Sequence, residues 1–233
     1  MATRINIGSG TVPLPGFVNV NALPDSPGVD VVANIAERLP FDDGSADTLY
    51  AAHILEHFPT DAVPALLADW RRVLRDGGEL LVAVPDLEVI ARTLMDREGW
   101  FTPPHNPWLG AIYGGQKDEY DFHKTGFTAV WLAKLLDDAG FGDVRRVPRF
   151  QEIGVNDTSF SPLPFGRNMS LNMRAVAGAP GLRPDDLERS GGEKALEVLD
   201  VALRFGMEVS TSLRARLMGR RRRRIERAIQ QGR

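Results

Sequence analysis

Residues 4–21 read RINIGSGTVPLPGFVNVN. RINI is a short β-branched run that ends at Gly8-Ser9-Gly10, and FVNVN (17–21) alternates apolar and polar as a second strand. Between the two strands lie only residues 10–16, and Pro13 and Pro15 forbid a regular helix there. A strand, a glycine turn and a second strand with no intervening helix is therefore the expected start of the fold.

The pattern continues outward from this stretch. VDVVA (29–33) reads as a buried strand and ADTLYAA (46–52) as a fourth. An amphipathic helix follows, with Thr60 as its expected N-cap and Val63, Leu66, Leu67, Trp70 and Leu74 at helical spacing. Asp76-Gly77-Gly78 is expected to turn the chain into ELLVAVP (79–85), whose unbroken apolar run suits a parallel strand covered on both faces. Residues 86–98 read as a helix. Residues 99–126 mix aromatics, prolines and glycines without a period and are too long for a plain connection. Thr128 caps a second clear helix lined by Trp131, Leu132, Leu135, Leu136 and Ala139 and ended by Gly140. Residues 143–149 and 169–177 are expected as a final strand pair, with an irregular stretch at 150–168 between them. Alternating strands and helices predict an α/β fold, a Rossmann-like three-layer sandwich. Its sheet is mostly parallel and seven-stranded with an antiparallel last strand, and a C-terminal helical extension follows. The expected division is a body over 1–179, with insertions at 99–126 and 150–168, and a basic helical extension over 180–233.

Charge supports that division. The chain of 233 residues carries a net charge of −3, but residues 1–179 hold 15 basic and 23 acidic side chains, whereas residues 180–233 hold 13 and 8. With no cysteine, disulfides, thiolate metal sites and a cysteine nucleophile are excluded. No apolar run is long enough to span a membrane. The opening MATRINIGSG lacks an apolar signal-peptide stretch, so export is not expected and a cytoplasmic location is. Neither a phosphate-binding lysine loop nor a nucleophile-elbow serine occurs.

In an open α/β sheet, ligands bind outside the carboxyl ends of the strands. Those ends are the glycine turn, Asn21, Asn34, Ala52 with His53, and Pro85. Gly8-x-Gly10 after a first strand suggests a nucleotide-type cofactor. A pyrophosphate would want a helix N-terminus, and the prolines stand in its place. S-adenosylmethionine has no phosphate, and its sulfonium cation suits an acidic body. The alternative is that both glycines serve only as tight-turn residues.

The blocks INIGSGTVPLPGFVNVN, LPFDDGSADTLYAAHILEHF, WRRVLRDGGELLVAVPDL and YGGQ…DFHKTGFT…LLDDAGF, in this order and spacing, resemble the class I S-adenosylmethionine-dependent methyltransferases. More narrowly, they resemble a bacterial subgroup associated with sugar and surface-polysaccharide methylation. The resemblance covers residues 4–177. It implies that Gly8, Ser9 and Gly10 pass close to the methionine end of the cofactor. Asn21 and Asn34 then stand where the family commonly has aspartates at the ribose and near the adenine, so each removes a charge. Asp25 is a substitute ligand for the ribose. Ile35 is a further expected cofactor-binding residue, Leu39, Pro40 and Phe41 resemble the segment covering the adenine, and Asp42 or Asp43 would meet its amino group or form an ordinary polar turn.

His53-Ile54-Leu55-Glu56-His57 matches a zinc-peptidase pattern. His53 ends a strand rather than sitting within a helix, and the sequence shows no third ligand, so no metal is expected. His53 is expected at the methionine end of the pocket, as a cofactor-binding and catalytic residue, and Glu56 and His57 as cap or packing residues. His123, in DFHK, is the expected general base, with pinning of its loop as the alternative role. Tyr113, Gln116, Lys124 and Asp157 are the expected acceptor-binding residues. Trp108 either stacks on a sugar or buries itself.

The expected function is in-line methyl transfer from S-adenosylmethionine to a small-molecule or glycan acceptor, a sugar hydroxyl or amine. Two rivals are an RNA or protein methyltransferase guided by the basic tail, and a degenerate scaffold that binds cofactor poorly. The stretch 214–227, with Arg214, Arg220 to Arg224 and Arg227, points to a solvated or subunit-packing helix or to an anionic membrane surface or other polyanion. It would place the protein at the inner face of the membrane. The acidic body argues against nucleic acid, and an oligomer stays open.

Overall fold

The computed structural model describes residues 2–95, 107–156, 168–179, 181 and 187. The chain divides into two units, Met1–Leu187 and Glu188–Arg233, and the described residues belong to the first. The expected helices of the basic extension lie outside them.

Seven strands form one sheet in the order β3-β2-β1-β4-β5-β7-β6. They are β1 (Arg4–Ile7), β2 (Val18–Asn21), β3 (Val31–Val32), β4 (Ala46–Ala52), β5 (Leu74–Pro85), β6 (Phe141–Val147) and β7 (Ser170–Ala177). The pairs β1–β2, β2–β3, β1–β4 and β4–β5 are parallel. β7 runs antiparallel between β5 and β6, so the last two strands pair as expected. The strand order reverses between β1 and β4, and a ligand crevice belongs at the carboxyl ends of those two strands.

The helices are α1 (Val63–Val73), α2 (Leu87–Met95), α3 (Pro107–Tyr113) and α4 (Ala129–Asp138). Val63, Leu66, Leu67, Trp70 and Val73 of α1 are buried, as the helical spacing requires. With Leu132, Ala133 and Leu136 of α4 they cover one face of the sheet around Ile5, Leu49, Leu80 and Val82. On a second, smaller core Tyr50 packs with Leu14 and Phe17 from the proline-rich β1–β2 connection and with Phe150 and Ile153. No helix occupies that connection, as the prolines dictate.

Four local expectations change. Thr60 does not cap α1: the N-cap is Ala62, without a side-chain hydrogen bond, and the Thr60 hydroxyl instead pairs with that of Thr125 at 3.1 Å. Thr128 does cap α4, accepting from the Trp131 N–H at 3.4 Å. Asp76-Gly77-Gly78 does not interrupt the strand, because β5 already pairs at Leu74 with Ala46 and absorbs the glycines as a register irregularity. Within 99–126, residues 107–113 form α3. Finally, β3 is only two residues long.

Candidate functional site

The glycine turn leaves β1 with Gly8 at φ 66° and Gly10 at φ 53°, backbone that favours glycine. At Gly8 the space is also full. A Cβ there would lie 2.1 Å from Cδ1 of Ile54, which enters from the end of β4. Gly8→Ala is therefore expected to displace Ile54 or the turn, and to reduce the binding of a ligand held there by at least tenfold, about 1.4 kcal/mol. Titration of the variant with S-adenosylhomocysteine checks it; wild-type affinity would show that this turn does not touch the ligand. Ser9 is buried, its N–H donates to the Val20 carbonyl at 2.9 Å, and its hydroxyl finds no partner among the described residues. A polar group left over beside a turn too close for side chains fits a nucleoside-type ligand lying on the backbone.

Asn21 and Asn34 have local reasons to be amides. Asn21 Nδ2 donates to the Gly10 carbonyl at 3.2 Å while Oδ1 accepts from the Leu23 N–H at 3.2 Å. Asn34 Nδ2 donates to Glu37 Oε1 at 3.3 Å and its Oδ1 accepts from the Ala36 N–H at 3.1 Å. A carboxylate could make neither donation. Ile35 is partly buried against the core. Leu39 departs from its expected place: it is 2% exposed within the main core, where α1 holds its backbone through Asp69 and Arg72, so its side chain is a packing group rather than a cofactor contact. Asp43 pairs with Arg72 at 2.8 Å and with Arg38 at 3.1 Å. The Arg72 hydrogen bond holds its carboxyl below the usual range. The Asp42-Asp43-Gly44 segment is thus a braced polar turn, closed by the Ser45 N–H on the Asp42 carbonyl.

The histidines meet at the end of β4. His53 adopts φ 58°, unusual for a non-glycine residue. Both of its ring nitrogens are engaged, Nδ1 with Glu56 Oε1 at 3.1 Å and Nε2 with the Ser170 hydroxyl at 3.0 Å. Its place in the fold is to hold Glu56. Glu56 is fully buried, and its Oε2 has no hydrogen-bond partner among the described residues. Its backbone carbonyl accepts from the N–H groups of Lys124 and Thr125 at 2.7 and 3.1 Å, which joins residues 55–57 to residues 122–125. That junction sets the His57 and His123 rings edge to face, with centroids 4.9 Å apart. His57 Nδ1 donates to the Phe122 carbonyl at 3.2 Å and His123 Nδ1 to the Ala111 carbonyl at 3.0 Å. A carbonyl only accepts, so Nδ1 carries the hydrogen in both rings and Nε2 is left with the lone pair. Burial lowers the His123 pKa, with Glu56 acting in the opposite direction.

His123 also lines a pocket of about 280 Å³ with Pro85, Leu87, Tyr113, Lys124 and Thr125. Of the expected acceptor residues, Tyr113, Lys124 and His123 are therefore together. Gln116 is not among the lining residues: it lies exposed at φ 55° in the tight loop that Asp121 clamps, with Asp121 accepting from the N–H groups of Gly115 and Lys117. Asp157 and the side chain of Trp108 lie outside the described residues. Glu56, expected as a cap or packing residue, is buried against His53; sequence reasoning missed Ser170, for which the sequence offers no signal.

A family model described as a methyltransferase domain matches residues 17–82. The chain is 32% identical over 126 residues to a ubiquinone/menaquinone biosynthesis C-methyltransferase of Methylobacterium nodulans, across 50% of this chain and 46% of that protein. It is 30% identical over 122 residues to an uncharacterised 37.1 kDa transposon protein of Streptomyces fradiae, across 52% of this chain and 32% of that one. These matches thus span less than half the length of either curated relative. A S-adenosylmethionine-dependent methyltransferase of Thermotoga maritima, described as a possible histamine N-methyltransferase, superposes with a TM-score of 0.50 at 20% identity, over 76% of this chain and 82% of that one. The strand order, the reversal between β1 and β4 and these likenesses agree: this chain has the Rossmann-like methyltransferase fold.

Proposed function

We propose that the chain is a S-adenosylmethionine-dependent methyltransferase acting on a hydroxyl or amine of a small molecule or glycan. One observation carries this reading. The 53–57 segment touches the glycine turn through Ile54 on one side and holds His123 and Lys124 at a pocket on the other. A cofactor on the turn and an acceptor in the pocket would then face each other across the carboxyl edge of β4.

Gly8, Ser9, Gly10, Asn21, Asn34 and Ile35 would hold the cofactor, which supplies the methyl electrophile when bound. The chain's own contribution is alignment and removal of the acceptor proton. Tyr113 and Lys124 shape the acceptor side. His123 is the member of the histidine cluster that reaches the pocket, and its Nε2 lone pair faces the task of taking that proton. The local bonding of Asn21 and Asn34 explains why they are amides without recourse to a lost activity. A sugar acceptor, and contact of the basic stretch 214–227 with an anionic surface, are further parts of the proposal that rest on the sequence.

Thermal melts test the cofactor. Ligand at 100 times its Kd stabilises by about 2.7 kcal/mol, which is a rise of roughly 5–10 °C in Tm for a chain of this size. S-adenosylmethionine and S-adenosylhomocysteine should give that rise and NADH should not. A flat response to both adenosyl compounds at millimolar concentration would sink the proposal.

A further inference from the structure

We infer that Glu56, His57 and His123 form a binding site for one divalent transition-metal ion of the zinc, cobalt or nickel type. One ligand-capable atom from each of the three lies within 4.8 Å of the others. Three independent features make this more than proximity. First, Glu56 is fully buried and its Oε2 is unpartnered among the described residues. A carboxyl oxygen buried in that way is costly to desolvate unless a donor or cation meets it. Second, both imidazoles donate Nδ1–H to backbone carbonyls, those of Phe122 and Ala111. Such a bond fixes the tautomer and turns the other nitrogen into a ligand, as is usual behind metal-binding histidines. Third, the carboxyl group is itself held from behind, its Oε1 against His53 Nδ1 at 3.1 Å, with Ser170 behind His53. Two imidazole nitrogens and a carboxyl oxygen are acceptors only, and among the described residues no donor serves Glu56 Oε2. Neutral imidazoles with a carboxylate suit zinc and its neighbours, with at least one position open to a further ligand.

The sequence expects no metal, because His53 of the His53–His57 pattern ends a strand and because no third ligand is visible. The fold supplies it: the backbone bonds from Lys124 and Thr125 to Glu56 bring His123 across 66 residues of sequence from His57. Donor atoms about 2.1 Å from one ion lie at most about 4.2 Å apart, so the three groups would have to close in on the ion as it binds. Because His123 also borders the pocket, the ion would stand beside the acceptor. There its charge, in place of the imidazole, would draw the proton from a coordinated hydroxyl. That last role, unlike the site itself, rests on the methyltransferase reading.

The test uses the full chain, tag-free and stripped with chelator, titrated with Co²⁺ and followed by its visible absorption. The wild type should take up one equivalent, which Zn²⁺ displaces. Uptake should be lost in His123→Ala and in Glu56→Gln. His57→Ala, which removes no buried carboxyl, serves as the second variant should Glu56→Gln fail to fold. His53→Ala should weaken binding by about 10–100-fold, the usual effect of losing a group that orients a ligand. No uptake by the wild type, or undiminished uptake by both His57→Ala and His123→Ala, would overturn the site. Melts with S-adenosylhomocysteine on the same samples separate the two proposals. A nucleoside response without Co²⁺ uptake removes the metal site alone, and Co²⁺ uptake without that response removes the methyltransferase reading alone.

Discussion

Asp86→Ala should lower the free energy of unfolding by about 3–5 kcal/mol, the usual result of removing one partner of a buried ion pair. Asp86 stands at the end of β5 and is fully buried. Its Oδ2 accepts from Arg146 Nη2 at 2.5 Å, and Arg146 is itself only 10% exposed at the side chain. Its Oδ1 accepts from the Val89 N–H at 3.1 Å, capping the first turn of α2. The alanine variant leaves the guanidinium of β6 without its counter-charge and the helix without its cap, and the loss of the cap alone is worth about 0.5–2 kcal/mol. The pair also braces the pocket, since Pro85 and Leu87 on either side of Asp86 line it. Urea melts of the wild type, Asp86→Ala, Arg146→Met and the double variant measure both the cost and the coupling. If the double variant is as unstable as the sum of the singles, the pair does not act as a unit and the burial argument fails.

How much of this was readable from the sequence depends on the range of the interactions involved. The sheet was readable because its signals are local: alternation in FVNVN, the apolar run ELLVAVP, and prolines that deny a helix between β1 and β2. Caps split along the same line. Thr128 accepts from the Trp131 N–H three residues on, a bond the sequence encodes. Thr60 has an equal claim on paper, but Thr125, 65 residues away, takes its hydroxyl. Leu39 resembles a ligand-covering residue in its motif, yet Asp69 and Arg72 from α1 draw its backbone in and the side chain follows into the core.

The site was half visible for the same reason. Gly8 and Gly10 announce themselves as turn residues, and His123, Lys124 and Tyr113, which the sequence expects close together, line one pocket. The role of Glu56 could not be read, because it depends on a segment 66 to 69 residues further on that covers it by backbone bonds. The sequence expects His53 at the ligand because it ends the fourth strand and because of the family resemblance of its segment. The fold instead closes both of its ring nitrogens, one on Glu56 and one on Ser170, which arrives from the antiparallel strand β7. A histidine with no free nitrogen orients others, and its conversion to alanine should act through Glu56.

His123→Ala, finally, should reduce methyl transfer by about 10²–10⁴-fold, the range over which a positioned proton acceptor contributes, while leaving the rise in Tm with S-adenosylhomocysteine unchanged. The separation follows from where the ring sits. It borders the pocket formed with Tyr113 and Lys124, whereas the expected cofactor contacts lie on the glycine turn, beyond Ile54. Its Nδ1–H is fixed on the Ala111 carbonyl, so under the proposal the lone pair that would serve the acceptor is the one on Nε2, whether it takes the proton or holds an ion that releases it. Transfer from radiolabelled S-adenosylmethionine, screened over hydroxyl- and amine-bearing compounds, provides the rate. Two additions sort the mechanism. Free imidazole should restore part of the rate if the ring removes the proton directly, because the cavity left by alanine admits it. A chelator should abolish the wild-type rate if the ring acts through a metal. A loss below tenfold, or an equal loss of nucleoside binding, would assign His123 to the packing of its loop, the one role in which its free nitrogen has no use.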